Sequence, residues 1–116
     1  MKQGAVHWFH FRGSGSEPAG RRPAVIVQHD RFNRSAINTT VVAAITSNLR
    51  LAAMPGNVRL AKGEAGLSKP CVVNVTQLRT LDKANLGKKI GSLRTNKRVE
   101  VLDGLGVVFG LCLEPS

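Results

Sequence analysis

The stretch Gly15-Ser16-Glu17-Pro18-Ala19-Gly20-Arg21-Arg22-Pro23 runs straight into the apolar run Ala24-Val25-Ile26-Val27. Glycine, serine and proline mark a loop, and the β-branched run marks a buried strand. Pro23 has no N–H to give to a ladder, so it suits the first residue of that strand. It also holds Arg22 extended, because the residue before a proline is pushed out of the α region. Arg22 is thus a cation at a fixed place, where a loop meets a rigid element. Such places concentrate functional residues. From the residues alone two readings of Arg21 and Arg22 stay open: solvated surface cations, or an anion-binding pair.

Other segments have strand character. Ala5 to Phe11 holds most of the aromatics, with Val6, Trp8 and His10 on one face and His7, Phe9 and Phe11 on the other. Thr39 to Ile45 is continuously apolar, which predicts a central strand covered on both faces, and it ends in Thr46-Ser47-Asn48. Cys71 to Thr80 is the longest candidate, with Val73, Val75 and Gln77 on one face and Val72, Asn74, Thr76 and Leu78 on the other. Asn57–Leu60 and Lys89–Leu93 read as short strands. Asp30 and Asp82 are candidate caps of short turns, and Phe32 is the one anchor of buried type in the polar segment 29–35. From Thr95 the period changes. Val99, Leu102, Leu105 and Phe109 follow helical spacing, with Thr95 as N-cap and Gly110 as terminator. Gly104 and Gly106 inside this helix cost about 1 kcal/mol each relative to alanine, so packing must hold it. The expected fold is mainly β: about six short strands in a barrel-like sheet, closed by a C-terminal helix, with one or two short helices besides.

The length of 116 residues fits one domain over 1–116 with a single core. Lys and Arg number 17 against seven Asp and Glu, a formal net charge of +10. Such an excess points to a polyanionic partner, either nucleic acid or an acidic protein. The cations form no tail, so the fold must assemble any basic surface. No apolar run is long enough to span a membrane, and no signal-peptide core follows Met1-Lys2-Gln3-Gly4. A cytoplasmic location is the expectation. Cys71 and Cys112 have no CxxC spacing and sit in apolar runs, so they read as small buried hydrophobes and not as metal ligands. His7 and His10 read as strand histidines bonded nearby, since no carboxylate lies close in sequence to orient either ring.

Gly15-Ser16-Glu17, Gly20 and Arg22-Pro23 before an apolar strand resemble the G-S-E-x-x-G-x-R-P signature of the MazF/PemK-type toxins. Asn33-Arg34 and then Val42-Ala43-Ala44-Ile45-Thr46-Ser47 resemble that family's central strand, which ends in a threonine. Val72-Val73, followed by Gln77-Leu78-Arg79-Thr80-Leu81-Asp82-Lys83 and Leu86, resembles its V-x-x-x-Q-I-x-T-x-D-K-x-x-L block. Arg98-Val99 to Leu111 resembles its closing helix. The four blocks stand in order over nearly the whole chain. The family's usual acidic residues of the first strand are replaced by Ala5 and His10. Arg12-Gly13 stands for an acidic-Pro pair, and Pro18 for glutamine. These departures make the first strand and loop more basic.

The resemblance implies an SH3-like β-barrel that forms a homodimer and an acidic antitoxin as partner. It implies cleavage of single-stranded mRNA at short sequences without a metal or other cofactor. An adjacent 2′-OH attacks the phosphate, leaving a 2′,3′-cyclic phosphate and a 5′-OH. The family's catalytic arginine falls on Arg22 and its catalytic threonine on Thr46. The residue types suit that chemistry. RNA supplies its own nucleophile, so the enzyme aligns it and stabilises charge on the phosphorane. A planar guanidinium can donate two hydrogen bonds to phosphate oxygens, and Thr46 can add one. Arginine stays protonated, which makes it an electrostatic stabiliser and not a general base. Ser16, Glu17, Arg21, Ser47, Asn48 and Gln77 are the candidate substrate-binding residues. Glu17 can orient Arg22 or meet a base edge, or simply pair with an arginine. Gln77 can read a base or finish a strand. Trp8 and Phe11 can stack on bases, with core packing the ordinary role of Trp8. Two other functions stay in view: an SH3-like module that holds RNA without cutting it, and a gyrase poison on the related CcdB barrel.

Overall fold

The computed structural model describes residues 1–11 and 20–111. Six strands lie in chain order: β1 (Ala5–Phe11), β2 (Gly20–Ile26), β3 (Thr39–Thr46), β4 (Val58–Leu60), β5 (Cys71–Asp82) and β6 (Leu86–Ser92). A one-turn helix α1 (Asp30–Asn33) follows β2, and a long helix α2 (Thr95–Phe109) closes the described chain. Short 3-10 turns occupy Leu49–Ala53, Glu64–Gly66 and Lys83–Asn85. All strands belong to one antiparallel sheet, in the order β4-β5-β3-β2-β1-β6.

The sheet curls but does not close. The barrel expected from the sequence is replaced by an open sheet whose edges are β4 and β6. The turn Glu64–Gly66, just after β4, fills the gap. It packs so tightly on β6 that a Cβ on Gly91 would collide with the Ala65 carbonyl. The larger core lies inside the curl. It joins Val6, Val25, Ala43, Ile45, Leu60, Val73 and Val75 to Val101 of α2. A smaller cluster, Ala5, Phe9, Ala24, Ile26 and Val42, lies on the other face of β1, β2 and β3, with Leu81 and Leu86 packed on it. The continuous apolarity of β2 and β3 has this cause: both faces are covered.

β2 begins at Gly20, so Arg21, Arg22 and Pro23 lie within the strand and not before it. Pro23 pairs with Trp8 of β1, while the β2–β3 pairing starts only at Ala24. A residue without an N–H is tolerated where one side of the ladder has not yet begun.

Several expected details change. The cap of α1 is His29, whose Nδ1 accepts from the Arg31 N–H at 3.0 Å; Asp30 is the first helical residue. The buried residue of that turn is Asn33, and Phe32 is 49% exposed. Asn33 fills the interior position because it bonds Gln28 and Thr40 there, which a phenyl ring cannot do. In α2 the N-cap is Arg94 and not Thr95. The face that packs inward carries Val101 and Gly104, whereas Val99 and Phe109 are exposed. A Cβ on Gly104 would strike the carbonyl oxygen of Gly56, so this glycine lets the helix backbone approach the Gly56 turn. Glu64, almost wholly buried, takes over the missing cap. Its Oε2 accepts from the Arg94 N–H at 2.9 Å and its Oε1 from the Arg94 Nε–H at 2.8 Å. Burial pushes the Glu64 carboxyl up, but the Arg94 bonds and charge outweigh it and hold the group below its ordinary value.

Candidate active site

Strand register decides which of the candidate residues meet. Arg22 is paired with Phe9. The β2–β3 ladder ends at the Ala24–Ala44 pair, two residues short of Arg22 and of Thr46, and strand alternation puts each on the face of its paired alanine. Directly opposed residues share a face of a sheet. Arg22 and Thr46 therefore project from the face that carries Phe9, Ala24 and Ala44. Both are half-buried. Each is held by pairing on its outer side, Arg22 with Phe9 of β1 and Thr46 with Val72 of β5, so the two side chains start from ordered strand backbone.

The Thr46 hydroxyl accepts a hydrogen bond from the Asn48 N–H at 3.2 Å. This turn fixes the oxygen and leaves the hydroxyl proton able to donate outward. Asn48 in turn caps the Leu49–Ala53 turn, its Oδ1 accepting from the Arg50 N–H at 3.2 Å. Asn48 is exposed and stands two residues beyond Thr46.

Alternation sends Arg21 and Ser47 to the opposite face. There they line a hollow of about 450 Å³ with Trp8, Ile45, Lys69 and Cys71, and Arg22 also lines it. The Arg21 guanidinium lies over the Trp8 ring, 4.4 Å from its centroid. Trp8 is half-buried and forms a wall of this hollow, so it is not a core residue. Cys71, buried at the hollow, has its thiol pushed up by burial, which keeps it a neutral packing group.

Gln77 does not join either group. The β3–β5 register shifts between Ala43 and Ala44, so Ala43 pairs with Leu78 while Ala44 pairs with Asn74. Gln77 lies in the extra length of β5 and is exposed, whereas Val73 and Val75 are fully buried. A bulge breaks the alternation that placed the three on one face. Ser16, Glu17, Arg12, Gly13 and Pro18 lie outside the described residues. His7 is bonded locally, its Nδ1–H donating to the Gly87 carbonyl at 3.0 Å. The Trp8–Arg21 wall is the feature sequence reasoning underrated. Its signal was the alternation that put Trp8 and His10 on one face.

No helix among the described residues is long and apolar enough to cross a membrane. Residues 2–109 match the family described as PemK-like, MazF-like toxin of type II toxin-antitoxin system. Endoribonuclease MazF6 of Mycobacterium tuberculosis is 45% identical over 98 residues, covering 84% of this chain and 86% of that protein. Endoribonuclease MazF of Staphylococcus epidermidis is 40% identical over 97 residues, covering 84% and 80%. Among solved structures, a mycobacterial endoribonuclease in complex with its cognate antitoxin superposes with a TM-score of 0.79 at 23% identity, covering 98% of this chain and 99% of that one. The fold, the family match over nearly the whole length and the identity to these endoribonucleases agree: the chain belongs to the PemK-like, MazF-like toxins of type II toxin-antitoxin systems.

Proposed function

We propose that this toxin is a metal-independent endoribonuclease that cuts single-stranded mRNA in the cytoplasm, with Arg22 and Thr46 as its catalytic pair. The observation that supports the pair is that alternation from the paired Ala24 and Ala44 brings both to one sheet face on adjacent strands. The activity rests on family membership and on relatives named as endoribonucleases.

In the reaction the 2′-OH of one nucleotide attacks the neighbouring phosphorus, and the bond from phosphorus to the 5′ oxygen breaks. The 2′-OH proton leaves to a base or water, and a proton is delivered to the departing 5′ oxygen. The products are a 2′,3′-cyclic phosphate and a 5′-OH. Arg22 donates to the non-bridging oxygens, whose charge grows in the phosphorane. Preorganised donors aimed at developing charge usually supply the largest catalytic term. Thr46 adds a hydroxyl donor from the next strand. Arg21, Ser47 and Asn48 hold the flanking RNA around the strand ends, and Trp8 offers a stacking plane in the hollow. Ser16 and Glu17 are the further substrate-binding residues of this reading, and Gln77, displaced by the bulge, is left out of it.

The acting unit is a homodimer. Exposed Val99, Val107 and Phe109 leave α2 with apolar surface that a second copy can cover. The inhibitor is an acidic antitoxin segment, which the net charge of +10 would attract and the site's cations would hold.

The test is incubation of the folded protein with a long single-stranded RNA in EDTA, followed by end analysis. Cyclic-phosphate and 5′-OH ends, lost in Arg22→Ala, support the reading. RNA left intact by micromolar folded protein overturns it.

A further inference from the structure

A second hollow, of about 540 Å³, opens beside the Arg22 row and is lined by Phe9, His10, Arg79, Leu81, Ala84 and Asn85. Its position follows from the register. Phe9 pairs with Arg22 on one side and with Leu86 on the other. Arg79 pairs with Val42 of the smaller apolar cluster, and Leu81 packs on that cluster. The hollow therefore lies at the rim of this cluster, on the side of the sheet that carries Arg22. Its nearest wall to Arg22 is Phe9, one strand away, and Asn85, next to Leu86 on the far side of Phe9, stands about two strand spacings, or about 10 Å, from it.

We propose that this hollow is a specificity subsite that takes the unstacked base of a nucleotide next to the scissile phosphate, with Asn85 reading its edge and His10 in its lining. The proposal rests on the RNA-cleaving reading of Arg22 and Thr46. The lining chemistry fits a base. Phe9, Leu81 and Ala84 give apolar walls for the ring, and the Asn85 amide carries both a donor and an acceptor. Single-stranded RNA is read by such splayed bases, held on apolar or aromatic surfaces and bonded at their edges. The volume lies in the range of ligand-binding clefts. Two strand spacings, about 10 Å, keep the hollow within reach of a nucleotide next to the phosphate at Arg22.

Two measurements test it. The first is cleavage of an RNA pool randomised around the cut site. Asn85→Ala should flatten the base preference at one flanking position and lower kcat/KM for the preferred base about tenfold. Asn85→Asp, which removes the amide donor, should change which base is preferred. Unchanged preference in both variants overturns the subsite while leaving the nuclease reading intact. The second is an amide NMR titration of the wild-type protein with each of the four nucleoside 5′-monophosphates. Shifts at His10, Ala84 and Asn85 support the subsite even if no RNA is cut, in which case the nuclease reading alone fails. Shifts confined to the Trp8 hollow, or absent, overturn it.

Discussion

The Arg21 guanidinium covers the Trp8 ring at 4.4 Å from the centroid, and the two form one wall of the hollow at the ends of β1, β2 and β3. A cation over an exposed aromatic contributes about 0.5–1 kcal/mol. A nucleobase stacked on an aromatic side chain contributes about 1–3 kcal/mol. A base arriving at the ring should therefore displace Arg21 and free it toward phosphate. Trp8 is the chain's one tryptophan, so its fluorescence reports the exchange without interference. Single-stranded RNA should quench that emission, and Trp8→Leu should weaken RNA binding by roughly 10- to 100-fold. Emission that ignores saturating RNA would exclude Trp8 from the interface.

Arg22 and Thr46 should differ in their contributions. Losing a bidentate cation aimed at developing phosphorane charge costs more than losing one hydroxyl donor. Arg22→Ala should lower kcat by roughly 10³-fold, and Thr46→Val by about 10- to 100-fold. Arg22→Lys should fall between wild type and Arg22→Ala, because a point charge keeps attraction but loses the fork. Single-turnover cleavage of a short RNA, with melting temperature as a fold control, measures all three. Equal losses in Arg22→Ala and Thr46→Val would contradict this ranking.

The Glu64–Arg94 contact should give the fold an acid-sensitive step. The folded carboxyl of Glu64 is held below its ordinary 4.5, because bonds from Arg94 outweigh burial. A depressed carboxyl stabilises the fold fully above the unfolded value, and that stability is lost as pH falls through the folded one. Asp30 shares this direction, first because its carboxylate accepts from the Gln3 N–H at 2.7 Å. The melting temperature should fall below about pH 5. Glu64→Gln should cost about 2 kcal/mol at neutral pH and make the acid slope shallower. Thermal melts across pH 3 to 7 decide it; parallel slopes for the two proteins would remove Glu64 from the account.

The two interior glycines of α2 should respond in opposite directions. A Cβ on Gly104 meets the Gly56 carbonyl, whereas one on Gly106 meets nothing within 4 Å. Gly104→Ala should destabilise by about 1–3 kcal/mol through overpacking. Gly106→Ala should stabilise by roughly 0.5–1 kcal/mol through helix propensity. Urea denaturation of the two variants gives both numbers. A stabilised Gly104→Ala would mean that the helix does not pack on the Gly56 turn in solution.

Much of the fold was legible locally. Apolar runs such as Thr39–Ile45 and the period change at Thr95 mark their elements because pattern and propensity act over a few residues. Arg22 before Pro23, and a strand ending in Thr46, were visible as chemistry held on rigid backbone. Phe32 misled, because a polar turn with one aromatic looks anchored by it. The interior there is bonded to Gln28 and Thr40, which selects Asn33.

The sequence by itself determined which residue types stand at strand ends, that the chain is strongly basic, and that short β runs precede one helix. Only the tertiary structure decided that Arg22 and Thr46 share a face while Arg21 and Ser47 take the other. It also set Gln77 in a bulge, made Glu64 the cap of a helix thirty residues on, and left the curled sheet open. The reason is physical: the two-residue period of a strand is local, but its register and the covering of each face come from pairing with distant segments.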